Sequence, residues 1–242
     1  MEIYVAIDDT DSLEFGATGQ SANELRRLIE DKGWGKSEAV TRHQLLLHPD
    51  IPYTSHNSSM CFKAVIGGHN LDEFITSAAK FLRETSAAGS DPGLCVAVKE
   101  RIKNLEELLS FGHKAKVEVL SKAEAYKTAE NCGLHLSEHG GTGLGIIGAL
   151  AGIGLRITGN DGRFQGRVQL GNSGETIAVG EIIAQTEIDE VQSMDGQALA
   201  NDETMVIGDK IKTVLLEGKR ILLVYREGGA WHSCNNKQLK NY

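Results

Sequence analysis

The sequence predicts an α+β protein: a ferredoxin-like βαββαβ unit, a helical middle segment and a small β-rich C-terminal part. Two observations carry this reading. Over residues 1–98, alternating and helical apolar patterns follow one another in the order strand, helix, strand, strand, helix, strand. That order is the split βαβ arrangement, with both helices on one face of an antiparallel sheet. From residue 103 the pattern turns helical, and after Gly159-Asn160-Asp161-Gly162 it turns to short β-prone runs separated by glycines. The predicted domains are therefore 1–159 and 160–242.

Residues 2–7 alternate as a strand and end in the acidic string Asp8-Asp9-Thr10-Asp11-Ser12. Ser21 and Glu24 have capping-box spacing, which predicts a helix from Ser21 with Ala22, Leu25, Leu28 and Ile29 on its inner face. Residues 38–47 and 59–66 read as strands. Asn70 precedes a second helix carrying Leu71, Phe74, Ile75, Ala78 and Leu82, and residues 94–98 follow the turn Asp91-Pro92-Gly93 as a short apolar strand. Asn104 and the Ser121/Glu124 capping box predict two further helices. A third follows the loop at residues 139–143, is apolar nearly all round and so should lie between layers, with Gly145, Gly148, Ala149 and Gly152 admitting another backbone closely. In the last part, residues 175–188, 204–207, 213–216 and 220–225 read as strands, with a hairpin turn at Glu217-Gly218-Lys219.

The 242 residues carry 33 acidic and 25 basic side chains, a net charge of −8, which disfavours non-specific nucleic-acid binding. Four cysteines, at 61, 95, 132 and 234, lack zinc-ribbon spacing and are too scattered for a disulfide framework, so a reduced, cytoplasmic setting is expected. No secretory signal is expected, and the longest apolar stretch, residues 144–155, is too short to span a bilayer.

Two segments carry chemistry. Asp8, Asp9 and Asp11 crowd three carboxylates at a strand end, where they repel one another unless a cation lies between them. An oxygen-only set of this kind suits Mg²⁺, which takes one or two carboxylates and completes its shell with phosphate. A solvated acidic turn is the competing explanation. Thr18 stands at the entry to the following helix, placed to hold or accept a phosphate. The second segment, His139-Gly140-Gly141-Thr142-Gly143, can turn backbone N–H groups inward as an anion nest at a helix N-terminus. Its alternative is a helix start that needs glycine for packing. Gly143, Gly145 and Gly148 also fit a dinucleotide fingerprint, but no buried strand is expected over 134–138, so a nicotinamide cofactor is disfavoured.

The string Ile7-Asp8-Asp9-Thr10-Asp11-Ser12 followed by Thr18 resembles the N-terminus of the archaeal agmatidine synthetases, which act on an isoleucine tRNA. The resemblance continues through Asp50-Ile51-Pro52-Tyr53, Ser90-Asp91-Pro92-Gly93 and Gly141-Thr142-Gly143-Leu144, with Ile147-Gly148-Ala149-Leu150-Ala151 beyond. It implies a kinase-like part joined to a ferredoxin-like part, with ATP and Mg²⁺ as cofactors. Asp8, Asp9 and Asp11 would hold metal and triphosphate, with Thr10 and Ser12 beside them. Thr18 matches the threonine that receives phosphate, and His139, Gly140, Gly141, Thr142 and Gly143 would lie on the phosphate loop. Asp9, Asp11 and Thr18 are the catalytic candidates. The chain departs from the family in carrying Thr142 where the loop has arginine, in lacking a zinc ribbon, and in having no recognisable OB domain. The leading expectation is ATP- and Mg²⁺-dependent phosphoryl transfer to an acceptor left open between a small molecule and RNA. A kinase-like phosphotransferase is the enzyme class implied. The alternatives are a non-catalytic tRNA-binding module and a nucleotide-sensing regulatory protein; no membrane partner is expected, and a homo-oligomer is left open.

Overall fold

A computed structural model describes residues 1–11, 17–51, 57–240 and 242. The chain divides into two compact units, Met1–Thr158 and Gly159–Tyr242. The first unit contains strands β1 (Glu2–Asp8), β2 (Gly35–Ser37), β3 (Thr41–Gln44), β4 (Ser58–Ile66), β5 (Gly93–Val98) and β6 (His135–Glu138). Its helices are α1 (Thr18–Asp31), α2 (Leu71–Thr85), α3 (Leu105–Lys114), α4 (Lys122–Cys132) and α5 (Gly145–Thr158).

The sheet is antiparallel in the order β6-β5-β1-β4, and β2 and β3 share the far side of β4. Alternation along β1 sends Ile3, Val5 and Ile7 to one face, where Ala22, Leu25, Ile29, Phe74, Ala78 and Leu82 of α1 and α2 cover them. Tyr4 and Ala6 point the other way, into a second core built from α3, α4 and α5. The ferredoxin-like unit thus has its own two helices on one face, as the element order predicts, and the helical middle segment closes the other.

Helix α5 is buried on all sides. A Cβ at Gly152 would lie 2.2 Å from Ser59 Oγ, and one at Gly154 would lie 2.4 Å from the Leu108 carbonyl of α3. Glycine is what lets this helix sit between sheet and α3.

Several local expectations need correction. Helix α1 starts at Thr18, not Ser21: the Ser21 hydroxyl is engaged by Thr10 Oγ1 at 3.2 Å, and the extended Ala17 stands at the N-cap. Of the run 38–47 only Thr41–Gln44 is strand; at its start the Glu38 N–H donates to the Lys63 carbonyl at 2.8 Å, and the Glu38 side chain pairs with Lys63 at 2.6 Å and with the buried Arg156 at 3.0 Å. Residues 135–138 pair with β5 as an edge strand in which none is fully buried, in keeping with the expectation of no buried strand there. The capping box at Ser121 and Glu124 forms as predicted, and Asn104 caps α3 through the Glu107 N–H.

The second unit contains β7 (Arg163–Phe164), β8 (Thr176–Ala178), α6 (Val179–Gln185), β9 (Glu190–Ser193), β10 (Thr204–Val206), β11 (Val214–Leu216), β12 (Lys219–Glu227) and β13 (Ala230–Ser233). Strand β12 pairs antiparallel with β11 and β13 and parallel with β9. Glu217 and Gly218 both have positive φ, 51° and 74°, the two-residue hairpin turn that matches strand twist. Residues 175–188, expected as strand, turn helical after Ala178 because Val179 and Ile182 bury at helical spacing. Among the described residues, no helix is long and apolar enough to cross a membrane.

We expect Gly154→Ala to lower stability by about 1–3 kcal/mol, the cost of forcing a methyl against packed backbone. A urea melt monitored by circular dichroism measures it; an unchanged midpoint would contradict the seam.

Candidate functional site

The site lies in the first unit, where β1, β5 and β6 bring three sequence-distant segments to one row of the sheet. Asp8 pairs with Gly93, and Gly93 pairs with Glu138. A Cβ on Gly93 would fall 2.3 Å from the Gly145 carbonyl carbon, so the start of α5 rests directly on the strand. The Gly145 N–H donates to the Asp91 carbonyl at 3.1 Å, and the His139 N–H donates to the Pro92 carbonyl at 2.8 Å. The glycine-rich loop is thereby tied to the turn before β5.

Past the end of β1 the chain turns through Asp9, whose φ of 53° is left-handed, a conformation aspartate tolerates better than most residues. Asp8 accepts the Asp9 N–H at 2.9 Å. A Cβ at Gly148 would lie 1.7 Å from Asp8 Oδ2, so α5 leaves that carboxylate its space. The Thr18 hydroxyl donates to Asp11 Oδ1 at 2.7 Å and accepts the Thr10 N–H at 3.3 Å. The Thr10 carbonyl accepts the Ala87 N–H at 3.0 Å, fastening this turn to the segment after α2.

Burial, and then the charges of Asp9 and Asp11, push the Asp8 carboxyl well above the usual range, against the opposing Asp9 N–H. Burial and the charges of Asp91 and Asp11 raise Asp9 to about 6, partly offset by a hydrogen bond from the Asp91 backbone. Among the described residues no lysine or arginine offsets either shift. Carboxyls held back from ionising in this way are ones that a cation would stabilise in their charged form.

The side chains do not form the three-aspartate cage expected from the sequence. Asp11 is turned to Thr18 and Asp8 to the Asp9 N–H. Among the described residues no group of three or more His, Cys, Asp or Glu is gathered to hold a metal by itself. The donor set instead suits Mg²⁺ that draws further oxygens from phosphate. Ser12 lies outside the described residues, as do residues 13–16 and 52–56.

The loop at residues 139–143 comes to the same end of the sheet. Both the N–H and the hydroxyl of Thr142 donate to the buried Asp91 carboxylate, and Gly141 and Gly143 have positive φ, 53° and 76°. From α4, Lys122 Nζ donates to the Thr142 carbonyl at 2.7 Å and pairs with Glu138 at 2.7 Å. Tyr126 donates to Glu138 at 2.6 Å, and the two neighbours hold that carboxyl below the usual range. Arg83 of α2 reaches His139 Nδ1 at 3.4 Å, while Ser137 stands between His139 and His135 at 2.8 and 2.9 Å. Burial, then Arg83 and His135, bring His139 down to about 4, so it is neutral at physiological pH.

Asp91, Lys122, Tyr126, Glu138 and Arg83 were not singled out as site residues in the sequence. Asp91 alone left a trace there, as part of the Ser90-Asp91-Pro92-Gly93 landmark. The others are ordinary helix-surface or strand-end residues whose roles arise from packing.

No protein-family model matches the chain. An uncharacterized protein of Methanocaldococcus jannaschii is 30% identical over 161 residues, 64% of this chain and 50% of that protein. Among solved structures, a tRNA fluorescent labeling enzyme is similar with a TM-score of 0.54 and 27% identity, over 64% of this chain and 36% of the other. The tRNA agmatidine synthetase crystallised with its isoleucine tRNA, AMPCPP and agmatine is similar at 0.52 and 26%, over 63% and 36%. The same synthetase with tRNA and ATP is similar at 0.55 and 25%, over 74% and 39%. The resemblance to agmatidine synthetases is thus borne out over about two thirds of the chain. The chain spans half the length of the curated relative and little more than a third of these solved structures.

Because the fold raises Asp9 from 3.8 to about 6, it keeps a proton there that the unfolded chain has lost. Stability from this group therefore falls as pH rises through that window. Acidifying from about pH 7 to about pH 5 should raise the melting temperature of the wild type more than that of Asp9→Asn, which keeps the left-handed turn. Thermal melts at the two pH values measure this; identical pH dependence would contradict it.

Proposed function

We propose that this chain, whose first two thirds is built like the agmatidine synthetases, binds ATP with Mg²⁺ at the end of β1 and transfers phosphate through Thr18. The observation that carries the reading is the Thr18 hydroxyl, donating to Asp11 at 2.7 Å while the Thr10 N–H fixes its oxygen at 3.3 Å. A hydroxyl so held has a carboxylate ready for its proton and a lone pair directed by the backbone.

Asp8 and Asp9 are the residues that would hold Mg²⁺, whose part when bound is to neutralise phosphate charge. The N–H groups of residues 140–143 would receive the anion; the Gly145 N–H at the start of α5 is already taken by the Asp91 carbonyl. Thr10 positions Thr18, and His139, kept neutral, borders the loop without adding charge of either sign. The acceptor beyond Thr18 is RNA or a small molecule. Structural neighbours crystallised with tRNA make RNA the first class to test. With a net charge of −8, an RNA acceptor would need a local grip rather than a general one. A cytoplasmic setting belongs to this reading; all four cysteines are free thiols, buried in the fold.

Titration calorimetry with ATP should show Mg²⁺-dependent binding that Asp9→Asn weakens at least about tenfold, the loss expected for one charged ligand. Incubation with γ-labelled ATP should place label on Thr18. Thr18→Val should abolish it, and Asp11→Asn should slow it about a hundredfold with little change in ATP affinity, as loss of a positioned base does. ATP affinity unaffected by Asp9→Asn would overturn the metal role, and label persisting in Thr18→Val would overturn the relay.

A further inference from the structure

The loop read above as the phosphate cradle already holds an anion, and that anion belongs to the chain. Asp91 is buried, and its two carboxylate oxygens take the two donors of Thr142: the backbone N–H on Oδ1 and the side-chain hydroxyl on Oδ2. Gly141 bends around the same carboxylate so closely that a Cβ there would lie 1.8 Å from Asp91 Oδ1. The far side of Thr142 is held as well, since Lys122 donates to its carbonyl at 2.7 Å. A carboxylate with a backbone N–H, a hydroxyl and a glycine wrapped about it is bound as a phosphate would be.

We propose that Asp91 is an internal occupant of the anion cradle, an autoinhibitory latch that a phosphate group must displace from Thr142 in order to bind. This rests on the reading of residues 140–143 as the cradle. Thr142 is the specific device. Its hydroxyl supplies the second hydrogen bond, which a residue without a short donor at that position could not make in the same geometry. Asp91 lies beside Asp9, whose carboxylate accepts the Asp91 N–H while the two side chains repel each other. A cation between the two aspartates would relieve that repulsion and draw the Asp91 carboxylate off Thr142. Anion binding and release of Thr142 are then one event, and the ligand-free protein keeps its cradle closed to stray phosphate.

Two measurements test the latch, and neither depends on turnover. Hydrogen exchange of the residue 142 amide in ligand-free protein should be slow in wild type and about tenfold faster or more in Asp91→Ala, with melting temperature checked alongside. Binding of pyrophosphate in Mg²⁺ buffer should tighten severalfold in Thr142→Val and about tenfold or more in Asp91→Ala. The valine variant leaves the charge of the site untouched and removes only the hydroxyl contact, and it carries the test if Asp91→Ala does not fold. A free amide at 142 in wild type would overturn the latch. So would tightening in Asp91→Ala with none in Thr142→Val, which would mark simple removal of a like charge. If the variants gain pyrophosphate affinity while no form binds ATP, the latch stands and the nucleotide reading falls.

Discussion

The close seating of α5 on the ends of β1 and β5 is the constraint from which the candidate site follows. Three glycines make it geometrically allowed. Gly93 leaves room for the start of the helix, Gly145 brings its N–H to the Asp91 carbonyl, and Gly148 leaves room for the Asp8 carboxylate. A side chain at any of them would lift the helix, and with it the loop at 139–143, away from the acidic turn. The same helix is clamped from behind by α3, where Gly154 meets the Leu108 carbonyl. The loop is therefore held from two directions by a rigid element, the arrangement that keeps a binding geometry from drifting.

Against that rigid frame the acidic turn is electrostatically unfavourable. Asp8 and Asp9 are raised by burial and by each other's neighbourhood of carboxylates, and Asp9 takes a left-handed φ of 53° at the end of its strand. Carboxyls buried together with no basic partner among the described residues cost stability when ionised, and backbone outliers of this kind gather where a chain is shaped for a ligand. What relieves the charge inside the chain is hydrogen bonding: the Asp9 N–H to Asp8, the Thr18 hydroxyl to Asp11, and Thr142 to Asp91. The first two also position groups that the proposed chemistry would use, whereas the third keeps Thr142 occupied in the ligand-free chain.

Where pattern and structure differ, a long-range contact has overridden a local preference. Ser21 and Glu24 have the spacing of a cap, yet Thr10 takes the serine and the helix runs back to Thr18. The run that reads as a strand from residue 38 is strand only over Thr41–Gln44, and the Glu38 side chain at its start partners Arg156, 118 residues away. In the second unit, a seven-residue helix at Val179–Gln185 is too short for its period to stand out from a β-prone, isoleucine-rich run. By contrast the Ser121 capping box and the Glu217-Gly218 turn form as read, since both are satisfied within a few residues.

By itself the sequence determined the α+β class, the run of strands and helices through β5 save for the short strand β2, the burial of α5 and the two segments proposed to carry chemistry. These are local or periodic properties, written in alternation, helical spacing and the clustering of aspartates and glycines. Only the tertiary structure decided that the acidic turn and the glycine-rich loop, more than 120 residues apart, share one end of a sheet. It also decided that Asp11 accepts from the Thr18 hydroxyl, and that Asp91, which reads as a plain turn residue, takes both donors of Thr142. Such partnerships depend on strand order and on how closely a helix can approach, and no spacing along the chain encodes them.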